Sequence, residues 1–165
     1  MGVVSFLRFI RNKRNLLDFS DFLHTHNHTL PLPLLSGKVI FHGTQTAQSL
    51  LVPQNSMGRG GKLERRAYVY ATDDPNYAIF LAILRLKNGS ALVNATTKNT
   101  VLAVGLDFVN GPSELKGGYV HVLSAENFKK TKNREYKTNQ QVEVLFTIAV
   151  APADLTVPIY IQVGQ

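Results

Sequence analysis

The sequence predicts an α+β fold. Short apolar runs of strand length recur from residue 39 to residue 163, a single stretch at 75–86 has helical periodicity and a well-formed start, and Gly, Pro and Asn punctuate the intervals. At 165 residues the chain is about one domain, a size that buries roughly 70% of the surface its unfolded form exposes. Cysteine is absent. A disulfide framework, a thiolate metal site and a thiol nucleophile are therefore excluded, and stability must come from the core.

Taken in order, residues 1–36 read as a helical segment and linker, and residues 37–165 as the folded domain. Val4, Leu7, Ile10, Leu16, Leu17 and Phe19 alternate with Arg8, Arg11, Lys13 and Arg14, a pattern that suits one or two short amphipathic helices. The basic residues interrupt any signal-peptide core, and the stretch is too short for a membrane span, so the cytoplasm is the default compartment. Gly2 invites comparison with a myristoylation motif, but Phe6 stands where Ser or Thr is needed. His24, His26 and His28 alternate without an acid or thiolate to complete a metal site, and Pro31 and Pro33 mark a linker.

The run at 39–41 leads to His42 and Gly43 at a strand end, and 46–51 can form a short helix. Residues 53–66 form a Gly-rich basic loop with Arg59, Lys62, Arg65 and Arg66; its GRGGK stretch lacks P-loop spacing. A strand at 67–71 carries Tyr68 and Tyr70. A helix at 75–86 follows, with Asp73 or Asp74 as cap, Pro75 in its first turn and Tyr77, Phe80, Leu81, Leu84 and Leu86 as its apolar face. Asn88 and Gly89 end it. Further strands are expected at 91–95, 101–105, 118–123, 142–150 and 156–163.

The strand at 142–150 contains an unusual carboxylate. Strict alternation puts Val142, Val144, Phe146, Ile148 and Val150 on one face and Gln141, Glu143, Leu145, Thr147 and Ala149 on the other. An acid in an apolar strand is either a functional group or an edge residue paired with a nearby lysine. The basic stretch KKTKNREYK at 129–137 precedes it. Lys and Arg total 18 against 11 Asp and Glu, a net charge of +7, which favours polyanionic partners: nucleic acid, an anionic membrane or a phosphate-rich ligand.

His42-Gly43-Thr44 on a first strand, Tyr70-Ala71-Thr72 on a second strand entering a helix, and Glu143 on a late strand together resemble the ADP-ribosyltransferases of the diphtheria-toxin and poly(ADP-ribose) polymerase branch. The resemblance spans residues 39–155 at the level of motifs. It implies a split antiparallel β-sheet with flanking helices, and a mono-ADP-ribosyltransferase that moves ADP-ribose from NAD to a nucleic acid or protein acceptor and releases nicotinamide.

In that resemblance Glu143 stabilises the cationic ribose, His42 bonds a ribose hydroxyl, the Gly43 backbone holds the nicotinamide amide, and Tyr70 stacks on the nicotinamide ring. Thr44, Thr72, Phe80, Arg59 and Gln141 complete the expected cofactor contacts. If the late strand begins two residues earlier, Gln141 takes the place of Glu143, and Tyr68 is the alternative to Tyr70. No metal is implied. Toxin or effector roles occur among bacterial members, so an antitoxin or immunity partner belongs to the expectation. The alternatives are a non-catalytic NAD, ADP-ribose or RNA-binding module on the same fold and an unrelated basic RNA-binding domain.

Overall fold

The structure is a computed structural model, and it describes residues 39–55, 66–87, 89–96 and 98–163. The N-terminal segment, the histidine run and Arg59, Lys62 and Arg65 lie outside the described residues. The fold is mixed α+β, as the residue pattern predicts, and its sheets are mostly antiparallel.

In chain order the elements are β1 (Val39–Thr44), β2 (Leu50–Leu51), β3 (Val69–Thr72), α1 (Pro75–Ile83), β4 (Leu84–Arg85), β5 (Ala91–Ala95), β6 (Thr100–Gly105) and α2 (Leu106–Asn110). They continue with β7 (Glu114–Leu115), β8 (Gly118–Ser124), β9 (Lys129–Lys130), β10 (Glu135–Thr138), β11 (Val142–Glu143), β12 (Phe146–Val150), a 3₁₀ turn at Pro152–Asp154 and β13 (Ile159–Gln162). The main sheet has six strands in the order β12-β8-β1-β3-β10-β9. A second sheet, β13-β6-β5, pairs β13 parallel to β6. Two short ladders join β11 to β2 and β4 to β7.

Helix α1 lies on one face of the main sheet, against Phe41, Val120, Val122 and Val150. Ile40, Leu51, Val69, Ala71, Leu123 and Tyr136 form a cluster on the opposite parity of the same strands. Two glycines decide how closely α1 sits. A Cβ built on Gly43 would lie 1.9 Å from the Ala78 carbonyl oxygen, and one on Gly118 would lie 2.1 Å from that of Ala82. Ala78 and Ala82 are one helical turn apart, so the helix backbone rests directly on β1 and β8.

The strand-to-helix corner is fixed by charge. Asp74 Oδ1 accepts hydrogen bonds from the Asn76 and Tyr77 amides at 2.9 and 3.4 Å, capping α1. Arg134 then bridges both aspartates, with Nε 2.7 Å from Asp73 Oδ1 and Nη1 3.1 Å from Asp74 Oδ2, and it also donates to the Asp73 carbonyl. Thr100 donates to Asp74 Oδ2 from β6. One buried carboxylate thus ties β6, α1 and the β9–β10 hairpin together.

Several expected boundaries are corrected. The helix stops at Ile83 and not at residue 86, because Leu84 is extended and pairs with Leu115. Its buried set is Asn76, Ala78, Ile79, Phe80, Ala82 and Ile83, while Leu81 is exposed; of the expected face Phe80 is buried, and Ala78, Ile79, Ala82 and Ile83 are the residues that pack on the sheet. No helix forms at 46–51, where Leu50 and Leu51 pair with Glu143 and Val142.

The strand at 142–150 is two strands. The Val144 amide bonds the Ser49 carbonyl and that of Leu145 bonds the Val122 carbonyl, so the chain crosses from the small ladder to the main sheet. Val142 and Val144 consequently pack with Ile40 and Leu51, whereas Phe146 and Ile148 pack under α1, and the single alternating face is overturned. The last strand is shortened to Ile159–Gln162 behind Pro158, which has no amide to donate.

The close approach of α1 predicts that Gly118→Ala destabilises the protein by about 1–3 kcal/mol through overpacking against helix backbone. Gly117→Ala, whose added Cβ meets only the Val150 carbonyl at 3.3 Å, should cost less. Urea denaturation of the two variants checks the order.

Candidate functional site

Strands β1 and β3 share one backbone pair, Phe41 with Thr72, although β1 continues to Thr44 and pairs with β8 along its whole length. Beyond Phe41 the two neighbours part. His42 spans the opening: its Nδ1 lies 2.6 Å from the Tyr70 carbonyl oxygen. A carbonyl only accepts, so Nδ1 carries the proton and donates, leaving Nε2 as a lone-pair acceptor. Burial lowers the His42 pKa, opposed by the bond to Tyr70. The ring is therefore neutral at pH 7.

Directly across β1 and β8, His42 faces His121. The two rings are parallel within 5° with centroids 6.2 Å apart. His121 is 0% exposed, and both its nitrogens are used: Nε2 accepts from the Gln48 amide at 3.2 Å, which requires Nδ1–H to donate to Thr147 Oγ1 at 2.9 Å. Burial, followed by the neighbouring His42, lowers its pKa. The loop at 45–49 is thereby pinned twice, through Gln48 to His121 and through Ser49 to Val144, one residue after Glu143.

Glu143 stands opposite Leu50 in the β2–β11 ladder. It is exposed, and among the described residues its carboxylate forms no hydrogen bond or ion pair. Gln141 is exposed just before the ladder. The flanking Val142 and Val144 pack on the cluster that contains Ile40, the neighbour of His42 on the same strand face. The glutamate strand is thus attached on the histidine side of the sheet.

The other expected site residues divide. The rings of Tyr68 and Tyr70 meet edge to face, with centroids 5.9 Å apart, and the Lys137 ammonium sits 4.4 Å from the centre of the Tyr68 ring. Alternation from Ala71, which packs with Ile40, directs the Tyr70 ring to the sheet face opposite His42; the imidazole reaches only its carbonyl. Thr44 Oγ1 accepts from the Thr46 amide. Thr72 is buried, and its hydroxyl oxygen accepts from the Asp74 amide. Phe80 is fully buried with Leu102, Val104 and Phe108, under the second sheet. Gly43 is accounted for by the passage of α1 over it.

Sequence reasoning misses His121, yet it sits inside the continuous apolar run Val120 to Leu123, where a polar group must find partners. Arg134 is likewise hidden in the basic stretch at 129–137. Among the described residues no group of three or more His, Cys, Asp or Glu side chains is arranged to hold a metal ion, and no helix is long and apolar enough to cross a membrane. Neither a family model, nor a curated protein, nor a solved structure matches this chain.

The two neutral histidines set the acid response. Their pKa values are lowered from 6.5 in the fold, so below that pH the unfolded chain binds protons that the folded chain refuses. Their contribution is level above pH 7 and is lost as the pH falls below 6.5, by up to about 1.4 kcal/mol per pH unit for each ring. His121→Gln should remove roughly half of this histidine slope, as measured by urea midpoints between pH 5 and 7.

Proposed function

We propose that this protein is an NAD-dependent mono-ADP-ribosyltransferase acting on a macromolecular acceptor. The observation that carries the reading is the His42 imidazole, neutral and fixed at Nδ1 by the Tyr70 carbonyl where two strands separate. Its Nε2 can accept a hydrogen bond from a ribose hydroxyl, and the charge-neutral ring does so without adding positive charge beside a developing oxocarbenium ion. The motif order of histidine, tyrosine and glutamate, which resembles the diphtheria-type transferases, supports the same reading. So does the net charge of +7, which favours an anionic dinucleotide.

In this mechanism the bond between ribose C1′ and the nicotinamide nitrogen breaks, and its electron pair leaves with neutral nicotinamide. The acceptor nucleophile forms the new bond to C1′ and gives up a proton to solvent or to a carboxylate. Glu143 is assigned the negative charge that opposes the one developing on the ribose. His42 orients the sugar.

The Glu143 carboxylate is exposed and has no partner among the described residues, an arrangement that does not preorganise it. That observation favours a second reading, a non-catalytic module that binds NAD or ADP-ribose through the same histidine and tyrosine strands. Nicotinamide release from NAD separates the two. The transferase reading predicts release by the wild type that falls about a hundredfold or more in His42→Ala and Glu143→Ala. Unchanged release in Glu143→Ala would remove that residue from the chemistry. NAD binding by calorimetry with no nicotinamide formed would establish the second reading.

A further inference from the structure

Beyond the dinucleotide chemistry, the sheet presents a basic and aromatic surface on the far side of β3. Tyr70 pairs with Lys137 on β10, and Lys137 pairs with Lys129 on β9, so the three side chains leave one face of the sheet in a row. Tyr68 lies on that same face, with the Lys137 ammonium over its ring and the Tyr70 ring against its edge. Arg66, two residues earlier, is exposed, as are Lys129 and Lys132. We propose that this face of β3, β10 and β9 binds a single-stranded nucleic acid.

Only part of the charge on the hairpin is spent internally. Arg134 is committed to aspartates, and Lys130 lies over Tyr136 on the other face. Glu135 shares the face at its far end, where it accepts from the Thr131 hydroxyl, and Glu126 is exposed in the preceding turn. The lysines at 129 and 137 suit a phosphate backbone, and the Tyr68 ring beside them suits an unpaired base, the two groups that single-strand sites combine. A membrane surface fits poorly, since none of the large exposed hydrophobic residues lies on β3, β9 or β10. An acidic peptide would use the lysines and leave the ring unused.

This face is the one opposite His42, to which Tyr70 offers only its carbonyl, so the binding does not rest on the transferase reading. The test is fluorescence anisotropy of the full chain with a labelled mixed-sequence RNA 12-mer, without NAD, over a range of salt. Wild type should bind in a salt-dependent manner and prefer the single strand to its duplex. Lys129→Glu/Lys137→Glu should bind about tenfold or more weakly, with a salt slope shallower by about 0.7 for each phosphate that the variant no longer neutralises. Tyr68→Ala should lose about tenfold with the salt slope retained.

Wild-type affinity in the double variant would assign binding to another basic stretch and overturn the proposal. Equal affinity for duplex, or tighter binding of a polyglutamate peptide or of phosphatidylserine vesicles than of RNA, would do the same. Nicotinamide release without RNA binding sinks this surface alone. RNA binding without nicotinamide release sinks the transferase alone.

Discussion

The arrangement of the candidate site follows from one change of partner. At Phe41 and Thr72 the strands β1 and β3 are joined backbone to backbone; one residue later the connection passes to the His42 side chain and the Tyr70 carbonyl. A backbone pair fixes two strands and leaves nothing for a ligand. A side-chain bond across the same gap holds the strands at a greater separation and leaves an imidazole nitrogen for use. Removing that bond would leave a half-buried carbonyl and a ring without a fixed tautomer.

The opening is held by a frame that permits little adjustment. On one side Gly43 and Gly118 seat the α1 backbone on β1 and β8, and a methyl group at either position would strike a carbonyl oxygen. At the corner Asp74 caps the helix while Arg134 ties it to the hairpin. Breaking such a pair by removing the arginine leaves a buried carboxylate uncompensated, a defect of about 3–5 kcal/mol. On the other side His121, through Gln48 and Thr147, anchors the loop that follows the histidine strand.

Local signals in the sequence locate most of this frame. The strands at 91–95, 100–105 and 118–124, the cap at Asp74 and the proline in the first helical turn are visible because each is written in neighbouring residues. What is not visible depends on residues far apart in the chain. The break at Val144 and Leu145 arises because two consecutive amides find acceptors on different elements, Ser49 and Val122. The helix face is read only in part: periodicity finds Phe80 but passes over the alanines that the contact with two glycines requires. The roles of Arg134 and His121 require partners 60 and 73 residues distant.

The proposed chemistry requires a neutral Nδ1–H imidazole at His42 with its other nitrogen free to meet a ribose. Histidine-selective nitrogen NMR on the full chain at pH 7, before and after addition of NAD, reads that state at the atom concerned. The expected result is an Nδ1-protonated His42 whose Nε2 resonance moves with NAD while His121 keeps its tautomer. A charged or Nε2-protonated His42, or an Nε2 resonance indifferent to saturating NAD, would contradict it.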